Sequence, residues 1–80
     1  MEIDWRKHIH SHPGILGGKP VVRGTRISVE LILEYLAEGG SVAEIIDGYP
    51  SLTEADIRAA IAFSSHLMTK EAASARQEAA

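Results

Sequence analysis

Apolar positions recur at helical spacing in three segments that follow residue 28. The stripes comprise Val29, Ile32, Leu33 and Leu36; then Val42, Ile45, Ile46 and Tyr49; and then Ile57, Ala60, Ile61, Ser64, Leu67 and Met68, with Phe63 at the edge. Spacings of three and four residues place side chains on one face of a helix. We therefore predict three short helices that pack as a helix-turn-helix-type bundle.

Residues that start and stop helices bound these segments. The N-cap candidates carry a side-chain oxygen that accepts a hydrogen bond from the first helical turn. They are Ser28 for helix one, Ser41 with Glu44 for helix two, and Thr53 with Asp56 for helix three, with Ser51 and Glu54 as the other register. Gly39-Gly40 ends helix one, and Gly48 with Pro50 ends helix two.

A strand-like segment precedes the helices. Two apolar pairs, Ile15-Leu16 and Val21-Val22, flank Gly17-Gly18-Lys19-Pro20, a pattern that indicates a β-hairpin or a tight extended loop. Pro20 has no N–H, so any strand here is expected at an edge.

The predicted fold class is mainly α, with this short N-terminal β segment before the three helices. Residues 1–12 form an arm and residues 13–70 the domain, while residues 71–80 lack large apolar side chains and are expected to fray or to be disordered.

The small size of the chain predicts that association with further copies contributes to its stability. Eighty residues make one domain, and a core this small rarely supplies more than about 3–5 kcal/mol. We expect a homo-oligomer that pairs through the edge-like segment, at Ile15, Leu16, Val21 and Val22.

The absence of cysteine fits a reducing compartment, and neither a signal peptide nor an apolar run of membrane-spanning length is visible. A cytoplasmic location is the expectation.

Charge is distributed unevenly along the chain. The net charge of -3 combines +3 over residues 1–26 with -6 over residues 27–80, which predicts two surfaces with different partners. The cations Lys19, Arg23 and Arg26 are the candidates for DNA contact. Helix three is a poor reader of DNA because its exposed start offers one cation, Arg58, beside Glu54.

Three glutamates, Glu30, Glu34 and Glu38, are spaced four residues apart on helix one. Neighbouring like charges at this spacing disfavour an isolated helix by a few tenths of a kcal/mol. The row is either a solvated face or a docking stripe for a basic protein. It is our candidate for partner binding.

No pattern in the chain predicts catalysis. His8, His10 and His12 alternate, which either provides transition-metal ligands or forms a polar arm, and no carboxylate or cysteine nearby completes a metal site. The Gly17-Gly18-Lys19 run is not a phosphate loop because Pro20 follows the lysine. We predict neither an enzyme nor a cofactor.

The run PGILGGKPVVRGTRISVELILEYLAEGGSVAEIIDGYPSLTEADIRAAIAF resembles the bacterial family called domain of unknown function 433. The resemblance covers residues 12–68. Its most specific elements are the G-K-P-V-V-R-G-T-R-I-S-V run, the L-x-E-G turn and the Y-P-x-L-T-x-x-D-I stretch. The sequence departs from the family pattern at His12, where an acidic residue often precedes the proline.

The resemblance implies a homeodomain-like fold after a β element, and the function of an antitoxin similar to the VapB type. The implied partner is a PIN-like ribonuclease, which the antitoxin neutralises, and such proteins often repress their own operon by binding DNA. The alternative is a pure protein-interaction module that does not bind DNA. A salt-dependent shift of operator DNA distinguishes the two.

Overall fold

The chain folds as a short antiparallel β-hairpin followed by three α-helices. It is seen in a computed structural model that describes residues 3–79, with the side chains of residues 3–73. The elements are a 3-10 turn (Trp5–Lys7), strand β1 (Ile9–His10), a second 3-10 turn (Leu16–Gly18), strand β2 (Val21–Val22) and the helices α1 (Val29–Ala37), α2 (Val42–Gly48) and α3 (Glu54–Ala79). Of the predicted arm and tail, residues 1–2 and 80 and the side chains of residues 74–79 lie outside this description.

All three helices begin at the predicted caps. The Ser28 hydroxyl accepts from the Leu31 N–H at 3.0 Å, and the Ser41 hydroxyl accepts from the Glu44 N–H at 3.1 Å. At α3, Thr53 Oγ1 accepts from the Asp56 N–H at 3.1 Å, while the Thr53 N–H donates to Asp56 Oδ2 at 3.0 Å. The Thr53 register is therefore the one adopted.

The predicted hairpin exists, but its first strand is a different segment. Strand β2 pairs with β1, with Ile9 opposite Val22 and His10 opposite Val21. Leu16, which was expected in a hairpin or a tight extended loop, has φ 47°, and the two glycines after it also have positive φ. Three such residues cannot continue an extended strand, so the segment turns instead. On its other side Val21 bridges Ser28, so β2 is flanked along both edges.

The core draws on both strands and on all three helices, and it therefore includes part of the arm. Its fully buried apolar residues are Ile9, Val21, Val22, Val29, Ile32, Ile45, Leu52, Ile57, Ala59 and Ala60. The arm thus contributes Ile9, and it also contributes Trp5, whose ring packs edge-on against Phe63 with 4.9 Å between centroids. The sequence pattern marked the arm only weakly because this burial depends on residues far along the chain.

The stripe predicted for α3 is correct at Ile57 and Ala60 and wrong further along. Ile61, Leu67 and Met68 are exposed by 47%, 40% and 70%, and Tyr49 at the end of α2 by 42%. Ala59, which is not part of the predicted stripe, is fully buried. A stripe shows which face of a helix is apolar, but burial also requires an element that covers it.

The two glycines between α1 and α2 serve different purposes. Gly39 has φ 97°, a left-handed conformation that side chains rarely adopt. At Gly40 a Cβ would lie 2.8 Å from the carbonyl oxygen of Tyr35 and 2.3 Å from its ring, so there is no room for a side chain. Together they allow the chain to end α1 and to reach Ser41 within one turn.

Helix α3 continues through residues 71–79, for which the sequence predicts a frayed or disordered tail. Residues 71–73 are exposed and bury no apolar surface. That the tail adds little to the stability of the fold remains a prediction.

Candidate partner-binding site

An open apolar groove of about 470 Å³ lies between α1 and α3. We call it the α1–α3 groove. Most of its surface is hydrocarbon, and two carboxylates stand beside it. Its lining residues are Pro20, Val29, Glu30, Leu33, Glu34, Phe63, Ser64, Leu67 and Met68.

Unequal helix lengths create this groove. Helix α1 has 9 residues and α3 has 26, so at 1.5 Å per residue they are about 14 Å and 39 Å long. Beyond Phe63, the apolar face of α3 no longer meets a partner element, and Leu67 and Met68 remain exposed. Trp5 packs against Phe63, so the arm supports the wall of the groove.

The predicted acidic row divides between two places. Glu30 and Glu34 line the α1–α3 groove, while Glu38 lines a separate depression with Tyr35, Gly39, Gly40 and Glu44. Glu30 also forms an ion pair with Lys19, in which Lys19 Nζ lies 3.6 Å from Glu30 Oε2. Both side chains are largely exposed. An exposed pair of this kind contributes at most about 1 kcal/mol, so Glu30 remains available to another cation.

The predicted DNA-contact residues make separate contacts. Lys19 lies against the acidic Glu30, whereas the guanidinium of Arg23 donates to the carbonyl oxygen of Arg6 at 3.1 and 3.2 Å. Arg26 is exposed, and no side-chain hydrogen bond or ion pair joins it to the part of the chain that the structure describes. The structure does not bring the three cations together on a shared contact. DNA binding by these residues remains a prediction.

The residues predicted for self-association differ in their exposure. Val21 and Val22 are 0% and 2% exposed, so their side chains are not available to a second copy. Ile15 is half-buried, and Leu16 is 43% exposed. Any association through this segment therefore depends on Leu16 more than on the valines.

The three alternating histidines have three different neighbours. His8 Nδ1 lies 2.9 Å from Asp56 Oδ1, His10 Nδ1 lies 3.4 Å from Nη1 of Arg23, and His12 Nδ1 accepts from the Gly14 N–H. Within residues 3–73, whose side chains the structure describes, no group of three or more histidines, cysteines or carboxylates is arranged to hold a metal ion.

Asp56 connects the arm to the start of α3. Burial raises the pKa of this carboxyl, but hydrogen bonds from His8 and from the N–H and hydroxyl of Thr53 outweigh burial, so that the pKa lies below its ordinary value. The sequence predicted Asp56 as a capping residue but not its contact with His8, which is 48 residues away.

The lowered pKa of Asp56 predicts a loss of stability in acid. The Asp56 carboxyl binds its proton less tightly in the native state than in the unfolded chain, where aspartates titrate near pH ~3.9. The contribution of Asp56 to the free energy of unfolding is therefore present above that pH and is lost as the pH falls through the native pKa. We expect Asp56→Asn to unfold more readily at neutral pH and to show a shallower loss of stability from about pH 5 to pH 3.

Urea unfolding across this pH range measures the effect. The control is Asp47→Asn, which removes an exposed carboxylate of α2 that has no histidine contact. Equal acid slopes for the wild-type chain and Asp56→Asn would contradict the assignment.

A smaller apolar groove of about 180 Å³ lies on another side of α1, lined by Ile27, Leu31, Ile32, Tyr35, Glu44, Ile45, Gly48 and Tyr49. The Tyr35 hydroxyl donates to Glu44 Oε2 at 2.7 Å at its edge. This bond is the main reason that the pKa of Glu44 is lowered and that of Tyr35 is raised. Sequence reasoning missed this contact, which requires α1 and α2 to be in place.

No helix in the described part of the chain has the length and apolar character needed to cross a bilayer.

Comparison with known proteins points to one family. A family model described as "Protein of unknown function (DUF433)" matches residues 9–64. The chain is 46% identical over 55 residues to "Uncharacterized protein y4eO" of Sinorhizobium fredii, a match that covers 69% of this chain and 25% of that protein.

The fold is also similar to a solved structure. The crystal structure of a DUF433 member protein from Anabaena variabilis matches with a TM-score of 0.75 and 31% sequence identity, over 81% of this chain and 64% of that one. The chain therefore spans less than two thirds of the length of either relative.

Proposed function

The chain belongs to the DUF433 family, and from this premise we propose that it is an antitoxin-like protein, which binds and neutralises a PIN-like ribonuclease through the α1–α3 groove. The observation that carries the proposal is the groove itself: exposed Leu67 and Met68 beside the carboxylates of Glu30 and Glu34. The PIN-like ribonuclease comes from the family resemblance.

The groove suits an amphipathic helix with a basic edge. Such helices bind in apolar grooves through side chains three and four residues apart. Here Leu33, Phe63 and Leu67 offer the apolar floor. Glu30 and Glu34, one turn apart, offer two carboxylates to lysines or arginines along the side of the bound helix.

The acidic charge of this chain is complementary to the surface of an enzyme that binds RNA. Enzymes that bind nucleic acid place cations around the cleft that holds the phosphate backbone. Residues 27–80 carry a net charge of -6, which favours encounter with such a surface at low salt. A chain that binds beside or across the cleft competes with RNA and so blocks cleavage.

Control of its own operon by DNA binding is the second part of the antitoxin proposal. Arg23 and Arg26 are exposed in the turn before α1. The contact of Lys19 with Glu30 places a carboxylate beside the third predicted DNA-contact residue, and this favours the alternative of a protein-interaction module that does not bind DNA.

The test begins with a PIN-like ribonuclease encoded beside the gene of this chain. We expect the two proteins to co-purify and the chain to inhibit RNA cleavage. Leu67→Ser should weaken binding at least tenfold, because it places a hydroxyl in the groove. Ile61→Ser is the matched control, since Ile61 is similarly exposed on the same helix but does not line the groove.

The carboxylates are tested separately by salt. Glu34→Gln should weaken binding at low salt and reduce its dependence on ionic strength, whereas Glu54→Gln at the exposed start of α3 should change neither. Absence of binding by the wild-type chain, or equal losses for Leu67→Ser and Ile61→Ser, contradicts the proposal.

A further inference from the structure

Leu16 has a backbone conformation that leucine disfavours. Its φ is 47°, and among the described residues it is the only one other than glycine with positive φ. Gly17 and Gly18 follow with φ 66° and 90°. For an L-residue with a Cβ, the left-handed region lowers the ratio of folded to unfolded chain roughly five- to thirtyfold.

Burial does not offset this cost. The Leu16 side chain is 43% exposed and belongs to no part of the buried core. Glycine or asparagine would take the same turn with less strain. A strained, exposed, apolar residue at this point therefore indicates a role outside the folding of the chain.

The turn at Leu16 lies four residues before Pro20, which lines the α1–α3 groove. The Lys19 N–H donates to the Leu16 carbonyl at 3.4 Å, which keeps the two Cα atoms within about 7 Å. Lys19 in turn contacts Glu30, and Pro20, the next residue, lines the groove. The strained turn thus leads directly into the groove wall.

We propose that Leu16 is a binding residue for the same partner helix, and that it covers an apolar side chain of that helix at the end of the groove. The inference rests on the proposed function, since the occupant is the basic amphipathic helix of the ribonuclease. The leucine side chain is exposed in this turn, so a partner can bury it.

The experiment measures stability and affinity on the same three proteins: the wild-type chain, Leu16→Asn and Leu16→Met. Asparagine tolerates the left-handed conformation, so Leu16→Asn should unfold no more readily than the wild-type chain, yet bind the ribonuclease at least tenfold more weakly. Leu16→Met keeps both the strain and the apolar surface and should bind within about threefold of the wild-type chain. Leu31→Asn is the exposure-matched control, because Leu31 is 41% exposed but lines the other groove.

The outcomes separate this inference from the proposed function. Loss of stability in Leu16→Asn shows that Leu16 serves the fold and overturns the inference. Unchanged affinity for Leu16→Asn, with affinity lost in Leu67→Ser, also overturns it but leaves the ribonuclease-binding groove in place. Absence of any binding by the wild-type chain overturns both.

Discussion

Replacement of Ile57 by alanine is expected to remove most of the chain's stability at 25 °C. Ile57 is 0% exposed, and it belongs to the one buried cluster that joins the hairpin to the helices. Loss of a buried isoleucine to alanine costs about 2–5 kcal/mol, through lost transfer energy and the cavity left behind. A domain of 80 residues rarely has more than about 3–5 kcal/mol in total.

Urea unfolding followed by far-UV circular dichroism measures this loss. The control is Ile61→Ala, the same substitution one helical turn further along α3, at a residue that is 47% exposed. It should cost less than about 1 kcal/mol, because alanine there leaves no cavity. Similar losses for the two variants would show that Ile61 is covered in solution, and self-association would then be the first explanation to examine.

Trp5→Ala is expected to destabilise the chain by about 2–3 kcal/mol, somewhat less than a fully buried aromatic residue because Trp5 is half-buried. Its ring meets Phe63 at 4.9 Å and His66 at 5.4 Å, and the Arg6 guanidinium lies 4.6 Å from its centroid. Removal of the ring therefore eliminates one of the contacts between the arm and α3 and leaves one side of Phe63 uncovered.

The same tryptophan reports whether the arm folds with the bundle, since it is the single tryptophan of the chain. In the wild-type chain its fluorescence should change at the same urea concentration as the circular dichroism signal. Trp5→Phe keeps an aromatic ring against Phe63 and should retain most of the stability. An unfolding midpoint for Trp5→Ala equal to that of the wild-type chain would mean that the arm does not support the core.

Most of the helical structure could be predicted because its signals are local. A cap such as Ser28 or Thr53 acts on N–H groups two or three residues away, and a stripe is read within a few turns. The partner of β2 could not be predicted in this way. Ile9–His10 pairs with Val21–Val22 across a loop, and nothing near either segment identifies the other.

Of the candidate site, only the two neighbouring carboxylates could be predicted from the sequence. The spacing of Glu30 and Glu34 places them on one face of α1 whatever packs against it. The groove beside them needs Leu33 of α1, Phe63 of α3 and Pro20 before β2 to meet. Leu16 was predicted to lie in a hairpin or a tight extended loop, and its strained turn is visible only in the backbone angles.

The sequence by itself determined the class of fold, the helix starts and the separation of charge, because each depends on residues close together in the chain. The tertiary structure alone decided which apolar residues are covered. Ala59 and Ile61 lie two residues apart on one helix, yet the first is fully buried and the second is 47% exposed. The physical reason is that burial is a property of two surfaces in contact, whereas a periodic stripe describes one surface only.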